Sequence, residues 1–184
     1  MSIKTVVINE RPFYCVIAST AADPHLYPHK RQIRELYRIL DDVESEAWAT
    51  TFMFENIPDL KREYDALELE KRLPDTAMLV VMIDAIASIP VGLLEVNTES
   101  HMGIHDVTSI IVKPEYRGRG IGHALMNESR NIAYQCGGHS IGLDVRADND
   151  EAQAFYESEG FTVRSSWLTS SVKHRSLGPT LRRE

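Results

Sequence analysis

The stretch that most constrains this chain runs from Asp106 to Ile132. A β-branched run, Val107 to Val112, stops at Lys113-Pro114. A short polar turn follows, then Arg117-Gly-Arg-Gly-Ile-Gly122, then a segment with helical spacing. The pattern predicts a strand, a glycine-rich loop and a helix. Such a loop brings several backbone N–H groups to one point beside the positive end of a helix dipole, which is a site for phosphate or pyrophosphate. The Arg117 and Arg119 side chains add positive charge there. Gly118, Gly120 and Gly122 cost backbone entropy and weaken a helix start, so a loop without a ligand leaves them unexplained.

Two common phosphate loops are excluded by the residues themselves. No Gly-Lys-Ser/Thr follows, so this is not a P-loop. The glycine spacing G-x-G-x-G differs from the dinucleotide fingerprint G-x-G-x-x-G. The formal charge of −7 over 184 residues argues against a general nucleic-acid surface and leans toward a cationic small substrate. Cys15 and Cys136 lack metal-ligand spacing and read as buried, reduced thiols. The histidines show no metal spacing either, so no metal is expected. Ala77 to Val96 is strongly apolar, but a membrane helix there would enclose Asp84, Pro90 and Gly92. Two strands joined by a turn at Asp84 to Ile89 account for it better. The first residues lack a basic segment followed by an apolar core, so neither signal peptide nor membrane association is expected, and the location is read as cytoplasmic.

Taken in order, Pro12 to Thr20 reads as a first strand. Ile33, Leu36, Tyr37 and Leu40 fall at helical spacing, predicting an amphipathic helix over residues 29–41. Residues 43–55 are a second helix or a loop, and Pro58 opens a further helix. The segment 41–75 is rich in acids, most of them a solvated helix face; Glu44 and Glu46 beside Trp48 are candidates for lining an amine pocket. After the central motif, the helix ends at Gly137-Gly138. Ser140 to Arg146 alternates as a strand, with Asp144 and Arg146 opposite Leu143 and Val145. Asp148 or Asn149 caps a short helix through Ser158, and Phe161 to Thr169 is a last strand. The chain reads as one domain over residues 1–184, with a core at about 12–169 and a tail from 170 to 184.

The run Ile111 to Gly122 (IVKPEYRGRGIG) resembles the acetyl-CoA-binding motif of the GNAT superfamily of N-acetyltransferases, whose loop reads Arg/Gln-x-x-Gly-x-Gly/Ala. Leu143 to Asn149 (LDVRADN) and Ala154 to Phe161 (AFYESEGF) resemble that family's second signature. The spacing there is similar to the ribosomal-protein alanine N-acetyltransferase branch. The resemblance covers residues 76–163 well and residues 1–75 only in the order of elements. It implies a mixed α/β sheet, mostly antiparallel, flanked by helices and splayed between the strand ending at Val112 and the one carrying Asp144.

The resemblance also assigns roles. Arg117, Gly118, Arg119, Gly120, Ile121 and Gly122 would bind the pyrophosphate of coenzyme A. Ile110, Ile111 and Val112 would pair by main chain with the pantetheine arm. Asn149 and Phe155 would contact the cofactor near the last helix, and Tyr156 would protonate the departing thiolate. The branch carries a glutamate base at the position of Asp144, which is one methylene shorter, so a water relay stands beside direct proton abstraction. The structural alternative for Asp144 is a carboxylate that is solvated or paired with Arg146. Asp106 is the second candidate base. By simple alternation it shares a face with Thr108, Ile110 and Val112, and a bulge in that strand would reverse this. The expected partners are acetyl-CoA and a primary amine, which is a small amine or polyamine, an amino-acid metabolite, or a protein N-terminus or lysine. A homodimer is expected from the family alone. A CoA-binding regulatory module without turnover is the alternative function.

Overall fold

The computed structural model describes residues 2–19, 24–39 and 76–164. Its frame is a run of strands joined mostly by short turns. Strands β1 (Ser2–Ile8) and β2 (Arg11–Ala18) form a hairpin around Asn9-Glu10. Both turn residues have positive φ, 49° and 65°, the geometry that matches the twist of a two-residue hairpin. β2 then pairs with β3 (Ala77–Asp84), β3 with β4 (Ile89–Asn97) and β4 with β5 (Ile104–Val112), all antiparallel. β6 (Ser140–Gly142) pairs parallel to β5, giving a six-stranded mixed sheet in sequence order. The apolar stretch Ala77 to Val96 is thus two strands and a turn, as expected. Both are buried on both faces, which is why they read as continuous apolar runs rather than alternating ones.

Helix α1 (residues 30–39) covers one face. Its Ile33, Leu36 and Tyr37 join Leu26 in a core with Val16, Ala18, Leu79, Val81, Ile83, Leu93 and Ile111. Helix α2 (Ile121–Gln135) packs on β3 to β6. Its approach to β4 is tight at Gly92, where a Cβ would lie 3.2 Å from Ile121 Cγ2, Leu125 Cδ1 and the Ile111 carbonyl oxygen. Glycine lets helix and strand approach this closely without strain, and the contact sets the first turn of α2 against β4.

β5 carries a bulge. Ser109 pairs with Glu95 but Val107 pairs with Val96, so Thr108 is the extra residue. The consequence is readable in the contacts. The Thr108 hydroxyl donates to Glu95 Oε2 at 3.4 Å, and the Tyr37 hydroxyl of α1 donates to Glu95 Oε1. Thr108, Ser109 and Ile111 therefore all turn toward the α1 face. His105 turns the other way, toward Gly138 at the end of α2. Asp106 stays on the side of Thr108 and parts from Ile110 and Val112, so the simple alternation fails at the bulge.

Several expectations are corrected. β1 was not foreseen, because its half-exposed alternation carries little apolar signal. β6 ends at Gly142, so Asp144 lies beyond it, outside regular structure, and is exposed, as is Val145. Gly122 belongs to α2 rather than to the loop. Residues 161–164 form no strand. Cys136 is exposed, while Cys15 is buried, its thiol pushed up to about 12 by burial. The expected helices within 43–72, and residues 165–169 of the expected last strand, lie outside the described residues. The chain divides into two compact units, residues 1–146 and 147–184. The second contains α3 (Asp150–Ser158), stopped by Gly160 at φ 85°.

Candidate active site

β5, α2 and β6 make a strand–helix–strand unit with parallel strands, and ligands of such units sit past the carboxyl end of the strand. Here that point is the segment Lys113 to Gly120. A single 3-10 turn, Pro114–Tyr116, leads out of the strand. Gly118 has φ 68° with open space around its Cα, and Gly120 has φ 86° as the residue preceding α2. Positive φ at these two positions explains why they are glycine. Gly120, at the cap of α2, has no side chain to bond the first amides of the helix. They are presented at an exposed loop, with the helix dipole behind them. The strand, glycine loop and helix follow one another as the spacing predicts.

The two arginines of the loop do not act alike. Arg117 turns back, its Nε donating to the Val112 carbonyl at 3.2 Å. Arg119 stacks its guanidinium 5.2 Å from the centroid of the Tyr116 ring. The Tyr116 hydroxyl in turn donates to Asp84 Oδ2 at 3.1 Å. Asp84, fully buried, also receives the Arg11 guanidinium and the N–H groups of Ile86 and Ala87.

Pairing between β5 and β6 stops at Asp106 and Gly142, so β6 does not cover β5 from Val107 to Val112. Among the described strands this leaves one edge of β5 from Val107 to Val112 unpaired, with the Val112 carbonyl accepting from Arg117, and such an edge is one that an extended arm can join. Asp106 is exposed and sits against Gly142, where a Cβ would lie 3.2 Å from its Oδ1. Asp144, the other candidate base, is exposed two residues further along. Sequence reasoning missed Glu95, a buried carboxylate held by Tyr37 and Thr108 on the Asp106 side of the bulge. A lone acid in an otherwise apolar strand was its only sequence signal. Glu44, Glu46 and Trp48 lie outside the described residues.

In the second unit, Asn149 caps α3, its Oδ1 accepting from the Ala152 N–H at 3.0 Å. Tyr156 lies between Phe155 and Phe161, with ring centroids 5.3 Å and 5.7 Å away. Burial raises its pKa above the ordinary phenol value, so the hydroxyl holds its proton at neutral pH.

The acetyltransferase (GNAT) family model matches residues 33–161. The chain belongs to this family. Among GNAT relatives, the N-alpha-acetyltransferase RimI of Mycobacterium tuberculosis is 46% identical over 57 residues, 31% of this chain and 34% of that protein. A putative ribosomal-protein-alanine N-acetyltransferase of Bacillus subtilis is 29% identical over 68 residues, 35% of this chain and 45% of that one. The chain thus spans less than half the length of either relative. An acetyltransferase of Sodalis glossinidius is 31% identical over 114 residues, 60% of this chain and 77% of that protein. The GNAT fold is seen in the aminoglycoside N-acetyltransferase AAC(6')-Iy, solved with a CoA bisubstrate analogue. Its TM-score is 0.58 at 15% identity, covering 86% of this chain and 98% of that one. A putative acetyl transferase from Pyrococcus furiosus has TM-score 0.60 at 21% identity, covering 86% and 99%.

The Asp84 network makes a pH prediction. Burial alone would raise this carboxyl, yet hydrogen bonds from the Ala87 N–H, Arg11, the Ile86 N–H and Tyr116 hold it below the ordinary value. Its contribution to stability is present above the unfolded value of about 3.9 and is lost as pH falls through the lower folded value. Asp84→Asn is expected to lower the urea midpoint at neutral pH, with the gap to wild type closing as pH drops from about 5 to about 2. A gap of constant size across that window would contradict an ionised Asp84.

Proposed function

We propose that this chain transfers the acetyl group of acetyl-CoA to a primary amine, by direct attack within a complex that holds both substrates. The observation that carries the reading is the uncapped start of α2 behind Gly118 and Gly120, continuous with the open edge of β5. Residues Arg117 to Gly122 would hold the pyrophosphate on backbone amides. Ile110 to Val112 would pair with the pantetheine arm, and Asn149 and Phe155 would contact the cofactor from the second signature. The family membership and the AAC(6')-Iy structure with a CoA analogue support the same donor.

In the reaction, the neutral amine nitrogen attacks the thioester carbonyl, an N–C bond forms and the C–S bond breaks. The amine must first lose a proton, since lysine-like and α-amines have reference pKa values of about 10.4 and about 8. Asp106 or Asp144, directly or through water, takes that proton. Tyr156, protonated at neutral pH, would supply the proton that the leaving thiolate takes up, and the proton shed by the nitrogen of the tetrahedral adduct would restore the phenol. Main-chain N–H groups of β5 would polarise the thioester carbonyl. Holding amine and thioester in register supplies a large part of the rate. The acceptor is a primary amine of a small molecule, an amino-acid metabolite, or a protein N-terminus or lysine.

Two variants test this reading. Acetyl-CoA at a hundred times its Kd should stabilise the wild type by about 2.7 kcal/mol. Gly120→Glu places a carboxylate in the cradle at a φ that disfavours any side chain, and should abolish that stabilisation in a thermal-shift titration. Normal stabilisation of Gly120→Glu by acetyl-CoA would sink the assignment. Tyr156→Phe should lower kcat by about a hundredfold, the lower range for a general acid, with KM for acetyl-CoA little changed. An unchanged kcat would remove Tyr156 from the chemistry.

A further inference from the structure

The β1–β2 hairpin is tied to the glycine loop at three points that the proposed reaction does not use. Asn9, at the hairpin tip, donates its Nδ2–H to the Arg119 carbonyl at 3.1 Å. Ile8 sits under Gly120, its Cγ2 3.2 Å from where a Cβ would stand. Arg11, the first residue of β2, joins Tyr116 on the Asp84 carboxylate and lies 5.9 Å from the Tyr116 ring centroid.

The Asn9 bond has a directional consequence. In a trans peptide the carbonyl of one residue and the N–H of the next point in opposite directions. All peptide bonds described are trans. Gripping the Arg119 carbonyl from the hairpin side therefore aims the Gly120 N–H away from the hairpin. The same bond keeps a carbonyl dipole from facing an incoming anion. At the other end of the loop, Asp84 fixes Tyr116, whose ring carries the Arg119 guanidinium. A loop with glycines at 118 and 120 is floppy by composition, and fixing it before the ligand arrives lowers the ordering cost of binding.

We propose that Asn9 and Tyr116 are positioning residues for the coenzyme's pyrophosphate. They act through Arg119 and Gly120, with the β1–β2 hairpin serving as a strut for the loop. This rests on the acetyl-CoA reading above. It assigns a binding role to an N-terminal hairpin that lies wholly outside the matched family segment, residues 33–161.

The test uses the full chain and acetyl-CoA. Asn9→Gly deletes the amide yet suits the turn, since glycine adopts the φ of 49° readily. Tyr116→Phe keeps the ring under Arg119 and removes only the hydroxyl. Each should raise the Kd for acetyl-CoA by calorimetry, and its KM, by about tenfold, the scale of one hydrogen bond. The kcat at saturating acetyl-CoA should stay within about twofold, because the reacting atoms are untouched. Wild-type affinity in both variants, even with lowered melting temperatures, would make the hairpin purely structural and overturn the proposal. So would a loss confined to kcat. If the wild type itself fails to bind acetyl-CoA, the underlying reading falls along with the strut.

Discussion

The close contact of α2 with β4 at Gly92 is the constraint on which the rest of the site depends. The helix must start directly above the end of β5, and its first amides must emerge beside the strand that leads into the loop. A side chain at position 92 would press on Ile121, Leu125 and the Ile111 carbonyl at once, so helix or strand would have to give by a few tenths of an ångström. Positive φ at Gly118 and Gly120 then lets a short segment close the gap between strand and helix without a side-chain cap. The proposed cofactor loop thus follows from how tightly helix and sheet pack, and its glycines finish what that packing begins.

The second organising feature is the bulge in β5. One extra residue at Thr108 turns Ser109 and Ile111 to the α1 face and brings Thr108 onto Glu95, opposite the Tyr37 hydroxyl. A carboxylate buried in a sheet is costly without such donors. β5 pairs with β6 over residues 104–106 and with β4 from Val107 to Val112, where no second described strand pairs with it. Sheet closure and an accessible edge coexist in nine residues because the strand changes partners partway along.

Much of this was readable from residues alone, and the failures have physical causes. The strand–loop–helix pattern, the paired strands Ala77–Asp84 and Ile89–Asn97, and α2 with its glycine stop are strong local signals, and all of them are present. The extent of β6 was not readable. Leu143 and Val145 continue the alternation of Ile141, but the sheet pairing that would make them a strand ends at Gly142. The facing of Asp106 depended on a bulge that leaves no mark in composition. Glu95 looked like an ordinary exception in an apolar run, because its partners Tyr37 and Thr108 are distant in sequence. The strut from Asn9 to Arg119 joins residues more than a hundred positions apart, which no local pattern can show.

The most direct measurement is release of free thiol from acetyl-CoA by the full chain against a panel of primary amines. The panel would hold a peptide with a free N-terminus, a lysine peptide, a polyamine, an amino acid and an aminoglycoside, with the product mass read in parallel. Amine-dependent thiol release above the amine-free background is expected with at least one class, together with a product heavier by one acetyl group. Thiol release at background level with every amine, while acetyl-CoA still binds, would contradict acetyl transfer and leave a coenzyme-binding protein without turnover.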